Sequence, residues 1–143
     1  MTILAAIDLS PLTDAVVKET SALARALGAP IVLAHIVRSE VAPDAVQAPQ
    51  AMEHHVDEIE AIARALRGEG HVVEVSCHHS KETPAVALLS EVNRRKPRYV
   101  VVGSHGRSKT YEVFIGSTTR ALVNEAAAPV VVVNGLRSVG GPG

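Results

Sequence analysis

The sequence predicts an α/β fold class: a parallel β-sheet covered by helices on both faces. Two observations carry that reading. Five short runs rich in β-branched residues, each bounded by Gly, Pro or charged side chains, alternate with longer stretches of helical periodicity. Apart from His35 and Glu74 the runs are apolar, the pattern of strands buried on both faces by helical crossovers. A third observation marks one end of the sheet. Gly103-Ser-His-Gly106, nine further residues, then Gly116-Ser117-Thr118 follows the fourth run and opens the last helical stretch.

The elements follow in order. Ile3–Ile7 is the first strand, and Asp14–Leu27 the first helix, with Ala15, Val16, Ala22, Leu23, Ala26 and Leu27 along one stripe. Gly28-Ala29-Pro30 stops that helix. Ile31–Val37 is the second strand, and Ala42–Gln50, with Pro43 and Pro49, is expected to be a mobile connection. Met52–Leu66 repeats the helical device through Val56, Ile59, Ala63 and Leu66, ending near Gly68 and Gly70. Val72–Val75 is the third strand, Pro84–Val92 the third helix, Tyr99–Val102 the fourth strand, Ser117–Ala127 the fourth helix and Val130–Val133 the fifth strand. Residues 1–137 are expected to form a single domain and 138–143 (Ser138–Gly143) a flexible tail.

Bulk properties narrow the classes of function. A chain of 143 residues buries a core that stands without staples. A formal net charge of -1 supplies no field to recruit nucleic acid. The densest basic cluster, Arg94-Arg95-Lys96, reads as the solvated last turn of a helix, where cations suit the dipole. Cys77 is the only cysteine, so the chain holds no internal disulfide, which fits a reducing cytoplasm. The N-terminus lacks a basic n-region and meets Asp8 too early for a signal peptide. No run approaches the ~18 apolar residues needed to cross a bilayer. The expectation is a cytoplasmic protein with neither a nucleic-acid nor a membrane partner.

The glycine pattern carries the chemistry. Glycines at a strand end let the backbone turn sharply and approach a ligand with no Cβ in the way. The free N–H groups of the following helix, with its dipole, favour an anion, most often phosphate. Gly103, Gly106, Arg107, Gly116, Ser117 and Thr118 would then form a phosphate cradle, with the Ser117 hydroxyl as an added donor. A tight turn and helix start that bind nothing is the competing reading. Asp8, at the exit of the first strand, is placed either to bond a base or ribose or to cap the next helix beside Ser10, Pro11 and Thr13.

The G-x2-G-x9-G-[S/T] pattern resembles the nucleotide-binding signature of the universal stress protein family, in its ATP-binding subgroup. Ile7-Asp8-Leu9-Ser10, Leu33-Ala34-His35-Ile36-Val37, Val101 to Arg107 and Ala128-Pro129-Val130-Val131-Val132-Val133 carry the resemblance over nearly the whole chain. It implies a Rossmann-like five-stranded sheet in the order 3-2-1-4-5, with a ligand at the switch point between strands 1 and 4. It further implies ATP, with Mg or Mn carried by the phosphates. The matching nucleotide-binding positions are Ala6, Ile7, Asp8, Ile36, Val102, Gly103, His105, Gly106, Arg107, Gly116, Ser117 and Thr118. Many relatives have proline where Ala6 stands. For His105 a place near the ribose competes with an idle loop position, and for Lys109 phosphate attraction competes with plain solvation. The chain departs from the family at Ser80-Lys81-Glu82-Thr83-Pro84, which replaces a Gly-x-Pro turn, and at Arg98, where an acidic residue is usual.

Other constellations are weaker. Cys77-His78-His79 and His54-His55 are adjacent residues, and neighbours on a strand point to opposite faces, so they chelate poorly. His35 reads as a satisfied core residue. The sequence has no G-x4-G-K-[S/T] loop and no recognisable nucleophile–base arrangement. A non-enzymatic ATP-binding sensor or regulator of the stress response is the leading expectation. An interaction module with an empty pocket or a different small ligand, and a slow ATP hydrolase, are the alternatives. The uniformly apolar fifth strand, Val130–Val133, lies at a sheet edge in the implied order and is expected to pair with its own copy in a homodimer. Leu136-Arg137 and the tail folding over that edge is the competing arrangement.

Overall fold

The computed structural model describes residues 1–38, 47–105 and 115–134. The order of elements is β1 (Ile3–Ala6), α1 (Thr13–Leu27), β2 (Ile31–Arg38), α2 (Gln47–Gly68), β3 (Val73–Ser80), α3 (Pro84–Arg95), β4 (Tyr99–Gly103), α4 (Ser117–Glu125) and β5 (Val130–Val133). All strand pairs are parallel, in the order β3-β2-β1-β4-β5. This is the Rossmann-like α/β sheet expected from the sequence.

Strand alternation divides the core in two. Ile3, Ala5, Ile31, Leu33 and Val101 point to one face, where Val16 and Ala24 of α1 and Ile59, Ala63 and Leu66 of α2 cover them. Leu4, Val32, Ala34, Val100 and Val102 point to the other, under Leu88 and Val92 of α3 and Leu122 of α4. Burying each of the larger side chains stabilises the fold by about 1.5–3 kcal/mol. The helices after β1 and β4 therefore lie on opposite faces, which makes the ends of these two strands the switch point where open α/β sheets bind ligands.

Most boundaries lie within two residues of the sequence reading, and three depart by more. The third strand runs on to Ser80 instead of stopping at Val75, because its backbone pairs with β2 residue by residue from Ile31↔Val73 to Arg38↔Ser80. Helix α2 begins at Gln47, inside the segment expected to be a connection. Pro49 stands in its first turn, where a missing N–H leaves no helical bond unmade. The rest of that connection, residues 42–46, and the tail 138–143 lie outside the described residues. Helix α3 continues to Arg95, and its basic end is not simply solvated. Arg95 is largely buried between Glu91 and Glu74.

Helix ends follow local chemistry. Gly28 closes α1 in the left-handed region at φ 62°, where glycine carries no Cβ penalty. Thr83 caps α3 by accepting from the Val86 N–H, with Pro84 in the first position. Among the described residues, no helix is long and apolar enough to cross a membrane.

Candidate functional site

The crevice is built first from the turn that leaves β1. Asp8 is exposed, and its Oδ1 accepts from the Ser10 N–H at 3.0 Å. Ser10 is buried, and its Oγ accepts from the Leu12 N–H at 3.2 Å. The two side chains thus replace strand and helix bonds through the turn, in the manner of Asx and Ser turns. Leu9, between them, is held at φ 59°. Such a conformation costs a branched L-residue about 1–2 kcal/mol, and the turn persists because Leu9 packs against the α1/α2 core.

Register sets the neighbours of Asp8. Ala6 pairs with Ala34, and Ala5 with Val101. Both pairings end there, and the Ile7 N–H still donates to Ala34 O at 2.8 Å, so Ile7 and Asp8 leave β1 at the end of the sheet where β2 carries Ile36 and β4 carries Val102 and Gly103. Their side chains differ in access. Ala6, Ile7 and Val102 are buried in the core, so only their backbone and packing shape reach the crevice, while Ile36 is half-buried.

The strand 4 exit meets three elements at once. A Cβ on Gly103 would stand 3.1 Å from Leu12 Cδ1 and 3.3 Å from Leu12 Cβ, so glycine here admits the start of α1. The Ser104 N–H donates to Val133 O at 2.8 Å, and Ser104 O accepts from the Gly116 N–H at 2.8 Å. Thr119 Oγ1 donates to Gly103 O at 2.6 Å. The start of α4 is thereby held against the end of β4. Thr119 and Ser104 were not among the residues singled out from the sequence. Their partners are backbone groups, which no side-chain pattern announces.

Gly116 is the N-cap of α4 and offers no side chain to the first turn. Its φ of -65° and ψ of 162° are ordinary extended values, so the loop demands no positive φ of it. Ser117 is exposed and Thr118 half-buried. The opening N–H groups of a helix have no intrahelical partner, and their dipole end attracts anions. The arrangement suits a phosphate or another anion held by backbone donors. His105 is half-buried at the loop start. Gly106, Arg107 and Lys109 lie outside the described residues. Thr13 Oγ1 and Ser104 Oγ are buried hydroxyls with no hydrogen-bond partner among the described residues, and they flank the Leu12–Gly103 contact in sequence.

Beneath the crevice, His35 is a core residue, as its apolar strand implies. It is 3% exposed, and its Nδ1 bonds Ile7 O at 2.6 Å. Cys77 and His78 project to opposite faces of β3, and among the described residues no group of three or more His, Cys, Asp or Glu side chains gathers to hold a metal.

The sequence profile of the universal stress protein family matches residues 1–134. The chain is a member of that family. A curated universal stress protein from Mycolicibacterium smegmatis is 30% identical over 93% of this chain, and the chain spans about half (48%) of that relative's length. Among solved structures, a universal stress protein from Lactobacillus plantarum superimposes with a TM-score of 0.77 at 18% identity, covering 92% of this chain and 97% of its own. One from Archaeoglobus fulgidus, solved in complex with dAMP, gives 0.73 at 17% identity over 92% and 96% of the two chains. A third, solved in complex with cAMP, gives 0.68 at 21% identity over 94% and 96%. At these identities the likeness establishes the universal stress protein fold.

Proposed function

We propose that this universal stress protein binds an adenine nucleotide, ATP in the first place, in the crevice between the ends of β1 and β4. The nucleotide would act as a regulatory ligand in a stress response and not as a substrate. The observation that carries the reading is the uncapped start of α4, pinned to the β4 exit by Gly116 and Thr119. That gives phosphates a set of backbone donors. Asp8, two residues beyond the last β1–β2 pair, would meet the ribose and base. Gly106 and Arg107 would complete the cradle, and Mg or Mn would travel with the phosphates. Ala6, Ile7 and Val102 would contribute backbone and shape. In this reading the nucleotide would be retained and not turned over.

The dAMP and cAMP complexes of relatives favour one further reading, in which a monophosphate is the resident ligand. A single experiment separates the two: denature the purified protein and identify any released nucleotide by mass. Saturating ligand at 100 times its dissociation constant adds about 2.7 kcal/mol of stability. Millimolar MgATP is therefore expected to raise the melting temperature by several degrees. No shift with ATP, AMP or cAMP, and no released nucleotide, would refute the proposal. Sustained phosphate release over many turnovers would replace the sensor with a hydrolase.

A further inference from the structure

The two halves of the glycine signature are far apart in the chain and close in space, so something must fix one against the other. Two bonds do this, and both come from the start of α4. The Gly116 N–H donates to Ser104 O at 2.8 Å, and Thr119 Oγ1 donates to Gly103 O at 2.6 Å. Gly116 is the N-cap, which makes Ser117, Thr118 and Thr119 the first three helical residues. Their N–H groups are the donors an anion would meet. A helix held at its N-cap alone can still pivot, and a second bond one turn along removes that freedom. A helical threonine ordinarily bonds back to a carbonyl of its own helix. Here the hydroxyl leaves the helix for the end of β4, and the side chain is buried, at 3% exposure.

We propose that Thr119 is a positioning residue for the phosphate cradle. Its bond to the Gly103 carbonyl sets where the Ser117 and Thr118 N–H groups point, and so how tightly phosphates are held. The inference rests on the nucleotide-binding reading above and adds to it a residue that the glycine signature does not contain. It separates two parts of the affinity. The base and ribose end near Asp8 and Ile36 is built from β1 and β2, and the phosphate end depends on α4. Loss of the Thr119 bond should weaken only the second.

The test compares ATP with adenosine on three proteins, by calorimetry for ATP and ligand-observed NMR for adenosine. Thr119→Val keeps the branched shape and removes the donor, whereas Thr119→Ser keeps the donor and removes a methyl group. Thr119→Val is expected to lower ATP affinity by about tenfold, the scale of one lost hydrogen bond. Adenosine affinity should stay within about twofold, and Thr119→Ser should hold ATP nearly as the parent does. Should Thr119→Val fail to fold, Thr119→Ala carries the same comparison. Unchanged ATP binding in the donor-less variant overturns the proposal. So does an equal loss for ATP and adenosine, or a serine variant no better than the valine one. A parent protein that binds neither ligand defeats the nucleotide reading itself, and the role of Thr119 falls with it.

Discussion

His35 shows how one buried side chain ties the floor of the crevice to the pH of its surroundings. A carbonyl can only accept, so the bond to Ile7 O fixes the proton on Nδ1 and leaves Nε2 to accept from His55 Nδ1 at 2.9 Å. Burial holds the imidazole below its ordinary pKa, against the raising effect of the Ile7 carbonyl. His55 adds to the lowering, and Asp8 and Glu58 oppose it. A histidine neutral in the native state and free to charge when unfolded makes the unfolded state the greater proton binder. Stability from His35 is therefore complete above about pH 6.5 and declines as pH falls below it. Urea midpoints measured from about pH 7.5 down to about pH 5.5 should fall more steeply in the parent than in His35→Asn, whose amide nitrogen takes the place of Nδ1 as a donor to Ile7 O. Equal slopes would remove His35 from the account. The sequence identified this histidine as a core residue because it sits within an apolar run. Its partners were not legible, since one is a backbone carbonyl and the other lies on α2, twenty residues away in the chain.

At the scale of elements, the seam between β3 and α3 is polar, whereas the helix contacts in the core are mostly apolar. Glu91 of α3 is 6% exposed. Ser76 of β3 donates to one carboxylate oxygen and Arg94 to the other, while Arg95 reaches Glu91 Oε1 at 3.1 Å and continues to Glu74. Ser76, in turn, is bonded to His78 Nε2 at 2.8 Å. Burial pushes the Glu91 carboxyl up, and the Ser76 hydroxyl with the two guanidiniums outweighs it, leaving the pKa lowered to about 2. The linked stability is complete above about pH 4.5 and is lost as pH falls from there towards about pH 2; it amounts to at most about 3 kcal/mol. Replacing Glu91 with Ala leaves Arg95 only Glu74 and Ser76 only His78 as partners in the seam, and should cost about 3 kcal/mol in urea unfolding at pH 7. A cost under about 0.5 kcal/mol would make the seam incidental. This seam also explains why the third strand was read too short. Ser76, His78 and Ser80 look like a strand running out into a loop, yet they face α3 across a polar interface while their backbone stays in register with β2. Apolar content marks strands only where the covering helix is apolar too. On the opposite face, burial raises the Cys77 thiol and keeps it protonated, so it is a poor nucleophile.

For the whole molecule, the sheet order was legible through the family resemblance and not through periodicity, which fixes elements but not their neighbours. That order leaves β5 at an edge, paired only with β4 among the described residues. Its four valines are at most half-buried, and Val132 is 37% exposed. An apolar edge without charge or bulge is a template for a further strand. The groove beside it is lined by Lys18 and Glu19 of α1 together with Val131 and Val132. A two-fold axis perpendicular to β5 would pair the edge with its own copy in antiparallel fashion and satisfy the free backbone groups of both. The edge would also sit one bond from the cradle, because the Ser104 N–H that donates to Val133 O belongs to the residue receiving Gly116. The expected outcome is a homodimer, with a light-scattering mass of about 30 kDa, twice the chain's 15.0 kDa. Val132→Lys, which adds charge at an exposed position of the edge, should halve that mass while leaving the circular dichroism spectrum unchanged. A parent mass near the single-chain value would rule out the edge as an interface. A Val132→Lys protein that remains dimeric would move the interface elsewhere on the molecule.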